Sequence, residues 1–482
     1  FVIHTSTHQP VDKGPGITLG VGQYFTRHET WAEQAKAWID YLSRASFLLQ
    51  QGQAAHELAV FYGEAGPMVA TYRDSYPPVP EGYRYDYVNA DVILNRLSVN
   101  NGLLTTPSGM RYHALFLGRG AERVSLPVLR KLRELARNGA IVIGLRPQGS
   151  PSLADNPGEV NAILNELWPG GAVARVGRGR VFADDSPAEA LKAIGLKPDF
   201  TYARPAPDSS VMFIHRRLAG ADIYFLSNRN NRAETIEGSF RVTGRRAELW
   251  DPATGDITPA SYRIQQGRTS VTVPLDPFGS IFVVFRGEAR AEQSRRLPQP
   301  VFQTVAELSG PWQVAFQADR GAPLGAVFQQ LINFRDSADA GIRYFSGVAT
   351  YTKSVQLPAV SGGRLWLDLG QVYDLAEVWV NGKLSGTAWK PPYRVDITGA
   401  AVAGENRIEI KAVNLWVNRL IGDVQPGVTR KYTFTWVDGK PLPPGVARGG
   451  RAPAMPYRAD SPLRASGLVG PVRVIHETQR LQ

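Results

Sequence analysis

Residues 1–10 (FVIHTSTHQP) join an apolar root to a polar tip. Phe1, Val2 and Ile3 run into His4, Ser6 and His8, which the two-residue period of a strand places on one face, and Pro10 ends the run. The imidazoles of His4 and His8 and the amide of Gln9 are directional donors and acceptors, the groups a pocket uses to recognise sugar hydroxyls. The alternative is a polar strand end satisfied by neighbouring loops. A zinc centre needs a third ligand, and His4 and His8 on a strand are not the helical pair of zinc peptidases. A second constellation lies in residues 414–423 (NLWVNRLIGD). There Trp416 offers a ring plane to the C–H face of a sugar and Asn418 an amide to its hydroxyls. Core packing of Trp416, with an Arg419–Asp423 ion pair, is the rival, and Trp389 beside Lys390-Pro391-Pro392-Tyr393 is open to the same two readings. Glu29 could act as an acid, but Thr26 and Glu29 have the spacing of a capping box, and the cap accounts for Glu29 without chemistry.

The elements that must position these groups follow from periodicity. A strand whose carboxyl end turns polar is how a (β/α)8 barrel delivers side chains to its active site. Residues 1–53 therefore read as the last βα unit of a truncated catalytic barrel, its helix marked by Trp31, Ala35, Trp38, Ile39, Leu42 and Leu49 and closed at Gly52. Residues 54–197 alternate, with strands at 57–62, 114–117 and 140–145 and helices at 87–97, 126–137, 159–168 and 187–194. That pattern predicts a small doubly wound α/β domain. Helical periodicity stops near residue 198. Residues 198–287 carry seven alternating runs and predict a small all-β domain, a β-sandwich. Residues 288–300 are polar and read as a linker, residues 301–477 as a jelly roll with a hairpin turn at Asn381-Gly382, and residues 478–482 as a tail. The expected fold is thus multidomain α/β plus all-β, with a residual (β/α)8 barrel end.

Composition narrows the function classes. With 482 residues, 43% hydrophobic, the chain can bury several cores. No apolar run approaches the ~20 residues of a membrane-spanning helix, so no membrane partner is expected. The absence of cysteine excludes disulfides and a cysteine nucleophile. The net charge of +11 is spread along the chain without a recognised nucleic-acid motif, so no nucleic-acid partner is expected. G-x-G-x-x-G after a strand, the P-loop and the G-x-S-x-G elbow are all absent. So is the EF-hand pattern, and no metal ligand is assigned.

Several motifs together resemble known glycosidases. Residues 308–312 (LSGPW), 347–351 (GVATY), 378–382 (VWVNG), 393–398 (YRVDIT) and 404–406 (GEN) resemble the galactose-binding-like jelly roll of family 2 glycoside hydrolases. Residues 414–423 and the ending 460–471, with residues 4–10, 25–31 and 41–52, narrow the resemblance to the α-L-rhamnosidases of glycoside hydrolase family 106, over essentially the whole chain. The resemblance implies inverting removal of terminal α-L-rhamnose from plant or algal glycosides. It also implies two carboxyl groups about 6.5–9.5 Å apart and calcium dependence, with ligands unknown. It places the catalytic carboxylates on barrel strands upstream of Phe1, so no catalytic residue is assigned within the chain and the chain alone is expected to be inactive. His4, His8, Gln9, Trp416 and Asn418 are the substrate-binding candidates. A periplasmic or extracellular location suits such a substrate. Two alternatives stand beside this reading: a carbohydrate-binding scaffold protein, or part of a family 2-like β-galactosidase or β-glucuronidase. Oligomeric state is unknown.

Overall fold

The computed structural model describes residues 3, 12–16, 25–64, 77–290, 293–435 and 457–480. His4, His8 and Gln9, and with them the expected barrel strand beyond Ile3, lie outside the described residues. What is described of residues 1–53 is a short strand, Pro15–Gly16, a 3-10 turn, Ala32–Gln34, and a helix, Lys36–Leu49. The helix starts later than its apolar spacing predicts. The capping box does not form, because Thr26 Oγ1 accepts from the backbone N–H of His28 (3.2 Å) and no side chain caps Ala32–Gln34 or Lys36–Leu49.

The α/β domain has five parallel strands in the spatial order Tyr85–Val88, Leu58–Phe61, Ala114–Leu117, Ile141–Ile143, Gly179–Phe182, with Val173–Val176 antiparallel at the edge. Leu58–Phe61 and Ala114–Leu117 are buried throughout, as central parallel strands covered on both faces must be. Helices Leu126–Arg137 and Pro157–Leu167 pack on one face and Ala188–Ala193 on the other. The expected helix 87–97 is shorter, Ala90–Asn95. Tyr85–Val88 is drawn into the sheet and Asn89 caps the helix, its side chain accepting from Val92 N. Chain order across the sheet reverses between Leu58–Phe61 and Ala114–Leu117, the place where open parallel sheets receive ligands. Here Gly63 and Gly120 meet, and a Cβ on Gly63 would collide with the Gly120 carbonyl.

The β-sandwich stacks a five-stranded sheet on a six-stranded one around Tyr224, Phe240, Val271 and Phe285. Its borders differ from those expected. Gln53–Ala54 joins it through Val211–Arg217, and Ser294–Arg295 pairs with Tyr262–Gln265. Gln299–Glu307 is already a jelly-roll strand, paired with Arg473–Arg480. The segments expected as linker and tail are therefore partly strand. Edge strands face water and need no apolar alternation, so composition alone hides them. The jelly roll closes a four-stranded and a six-stranded sheet over Trp312, Phe334, Phe345 and Tyr351. Leu375–Val380 turns into Lys383–Ala388 through Asn381 and Gly382, both at positive φ (52° and 77°), the conformation of a two-residue hairpin.

Candidate functional site

The loop between residue 25 and the helix Lys36–Leu49 gathers the most unusual chemistry. The rings of Phe25, Trp31 and Trp38 pack with centroids 4.9–6.1 Å apart. Glu29 is partly buried in this loop, and its carboxyl has no hydrogen bond or ion pair among the described residues. Burial disfavours its charged form and pushes its pKa up to about 7. Thr30 Oγ1 and Gln34 Oε1, close in the chain, are buried without a hydrogen-bond partner. Buried polar atoms are nearly always paired, so this group is an exception that asks for a reason. The cap reading had set Glu29 aside, and the structure removes its basis.

The jelly roll reaches this loop through residues 414–423. Trp416 is buried (5% exposed), and its Nε1–H donates to the carbonyl of His28 at 2.7 Å. The Arg320 guanidinium lies 4.1 Å from the Trp416 ring centroid. Asn418 is 1% exposed, its amide donating to Arg464 O (2.9 Å) and Ser466 Oγ (3.2 Å) while its carbonyl accepts from Arg464 N (2.9 Å). Arg419 pairs with Asp423 at 2.9 Å inside the protein. Asp423 also accepts from Tyr432 N and Thr433 N, just before Phe434–Thr435 pairs with Pro15–Gly16. These are the packing roles set against sugar contact for Trp416 and Asn418. Trp389 packs on Tyr41 of the helix Lys36–Leu49, with centroids 5.2 Å apart.

A second buried cluster joins the α/β domain to the sandwich, and nothing in the sequence pattern pointed to it. His215 lies between Asp199 (Nδ1 to Oδ2, 2.7 Å) and Asp222 (Nε2 to Oδ1, 3.0 Å). Tyr224 donates to Asp199 Oδ1 at 2.8 Å, and Arg241 and Arg245 pair with Glu57 and Asp222. Desolvation pulls His215 down, but its hydrogen bonds to the two aspartates outweigh this and the net shift is upward. Desolvation pushes Asp199 up, and its bonds to His215, Arg241 and Tyr224 leave it below the ordinary carboxylate range. Glu57, Asp199, His215, Asp222 and Arg241 line a cavity of about 370 Å³. Among the described residues no group of three or more His, Asp or Glu side chains is placed to hold a metal ion. No ligand is assigned to the calcium ion implied by the resemblance. No described helix is long and apolar enough to cross a membrane.

Residues 1–264 match the family model of glycoside hydrolase family 106, alpha-L-rhamnosidase. The chain belongs to that family. A solved rhamnosidase from Novosphingobium sp. PP1Y is 44% identical with a TM-score of 0.87, covering 99% of this chain and 44% of that one. A Formosa agariphila protein with the provisional name beta-glucuronidase is 24% identical over 98% of this chain and 60% of its own length. The chain thus spans about half the length of these relatives. For a family 106 glycoside hydrolase the group to seek is a carboxyl kept protonated near neutrality. Glu29 has that property. In the Asp199 cluster Asp199 lies below the ordinary carboxylate range, and Glu57, though burial and the nearby Asp199 push it up, is bonded by Arg84 N and Arg241.

Proposed function

We propose that this family 106 chain is part of an α-L-rhamnosidase that removes terminal rhamnose from plant or algal glycosides by inverting hydrolysis, with Glu29 as its proton donor. The observation that carries the reading is a carboxyl without a partner among the described residues, held near pH 7 by burial alone. A group with a pKa near the working pH is the best compromise between holding a proton and giving it up.

In this reading Glu29 donates its proton to the glycosidic oxygen as the bond to the anomeric carbon breaks. A second, ionised carboxylate takes a proton from water attacking the opposite face, at a separation of about 6.5–9.5 Å that leaves room for that water. We assign this second group to the part of the longer relatives that the chain does not span. One catalytic carboxyl is therefore proposed within the chain, where sequence reading assigned none. His4, His8 and Gln9 remain proposed hydroxyl contacts. A periplasmic or extracellular location suits the substrate.

The test is hydrolysis of aryl glycosides by the protein at the full length of its relatives. Release from α-L-rhamnosides, with β-rhamnose as the first product by NMR, supports the reading. Cleavage of β-glucuronides or β-galactosides instead, or full rhamnosidase activity in Glu29→Gln, overturns it.

A further inference from the structure

We infer that Trp416 is a positioning residue for Glu29, so that the jelly roll holds the proton donor of a site formed by the other end of the chain. The inference rests on the proposed role of Glu29 and goes beyond it, because it gives a buried residue of a distant domain a part in the reaction.

The geometry centres on one peptide unit. The carbonyl of His28 and the N–H of Glu29 belong to the same rigid plane. Trp416 Nε1–H donates to that carbonyl at 2.7 Å, and the Glu29 N–H donates to Thr26 O at 3.2 Å. On the far side of the Glu29 Cα, the Glu29 carbonyl accepts from Ala32 N at 3.1 Å. Both ends of the plane that leads into Glu29 are held, one of them from 388 residues away. The side chain then has only its own rotamers to explore. Releasing the carbonyl lets the plane rock, and the carboxyl lies far enough from the peptide to be displaced by about an ångström, a shift able to slow a reaction on the order of 100-fold.

Trp416 is itself built not to move. Arg320 lies over its ring, and a Cβ on Gly14 would collide with that ring and lie 3.1 Å from the same His28 carbonyl. Its own carbonyl accepts from Leu420 N (3.0 Å) at the start of the helix Val417–Gly422. Two residues earlier, Asn414 accepts from Gly347 N (2.8 Å) and donates to Phe345 O (2.7 Å). A tryptophan in the core needs one acceptor for its N–H, and most find one nearby. Here the acceptor is the carbonyl next to the unpaired carboxyl, and the ring's burial leaves it no face for a sugar.

The experiment uses the full-length protein and Trp416→Phe, which keeps a ring and deletes the N–H. kcat/KM is compared on α-L-rhamnosides with a good leaving group (2,4-dinitrophenol) and a poor one (a simple alcohol). A displaced proton donor harms only the poor leaving group. The expected loss there is about 10- to 100-fold, with the dinitrophenyl substrate near the parent rate and KM little changed. In a Glu29→Gln background, Trp416→Phe should cost no further rate, since a residue acting through Glu29 has nothing left to act on. Equal losses on both substrates, no loss on either, or additive losses in the double variant overturn the inference. If Trp416→Phe does not fold, Arg320→Met, which frees the ring face, must show the same split in milder form, and its failure to do so overturns the inference equally. Glu29→Gln alone at parent rate on the poor leaving group sinks the reading of Glu29 instead, whatever Trp416 does.

Discussion

Glu29, half-buried, and Asp199, fully buried, are both acids at seams between domains, and they end in opposite states. Asp199 meets His215, Tyr224 and Arg241 and stays ionised although desolvation alone would push it up. The Glu29 carboxyl meets no partner among the described residues and is pushed up to about 7. Burial is common to the two, so the number of donors decides the charge. A fully bonded acid serves as a fastening between domains. An acid left alone keeps its proton available for chemistry, and two neighbouring buried oxygens, those of Thr30 and Gln34, are likewise unbonded.

The comparison can be broken most forcefully at Glu29. Glu29→Gln should lower kcat/KM on rhamnosides with poor leaving groups by about 10²–10⁴-fold, while thermal unfolding stays at or above the parent temperature because no bonded partner is lost. A stability loss without a rate loss would make Glu29 the structural acid of the two. His215→Ala should do the reverse. Leaving Asp199 and Asp222 buried without the cation between them costs about 3–5 kcal/mol in denaturant unfolding, with activity per folded molecule retained.

A gentler probe is pH. His215 is raised in the folded state, so its contribution is fully present below the ordinary histidine value and is lost as pH rises through the higher folded one. Asp199 is lowered, so its contribution is present above the ordinary aspartate value and is lost as pH falls through the folded one. The parent-minus-His215→Ala difference in stability should therefore be widest in the mildly acidic range and shrink on both sides. A difference flat from pH 4 to 9 would refute the charge assignment. The smallest effect belongs to Tyr224→Phe, which removes one of the bonds to Asp199. Hydrogen bonds to charged groups are worth about 1.5–3 kcal/mol, and the lower end is expected because Arg241 still faces the same Asp199 oxygen at 3.5 Å.

Much of the scaffold was legible in the sequence where one periodicity ruled. The helix Leu126–Arg137 and the strands Ala114–Leu117 and Leu375–Val380 lie where their apolar spacing puts them, and Asn381-Gly382 turns as its residue types require. Legibility failed where two local structures use the same letters. A threonine three residues before a glutamate can cap a helix, but Thr26 folds its hydroxyl back on His28 N instead, and the Glu29 carboxyl takes no part in a cap. It failed again where partners are remote in the chain. Nothing local to Trp416 names His28 as its acceptor, and nothing local to His215 announces Asp199. Polar edge strands such as Ser294–Arg295 passed for a linker because a strand paired on one side shows no alternation.

The meeting of Gly63 and Gly120 has its own consequence. In open parallel sheets the gap at the reversal of strand order is where nucleotides and other small anions lodge, and in this protein the main chains at Gly63 and Gly120 touch across it. Parting them would take the movement of two loops and not the trimming of a side chain, so a side chain at either glycine should unsettle the junction of the two loops.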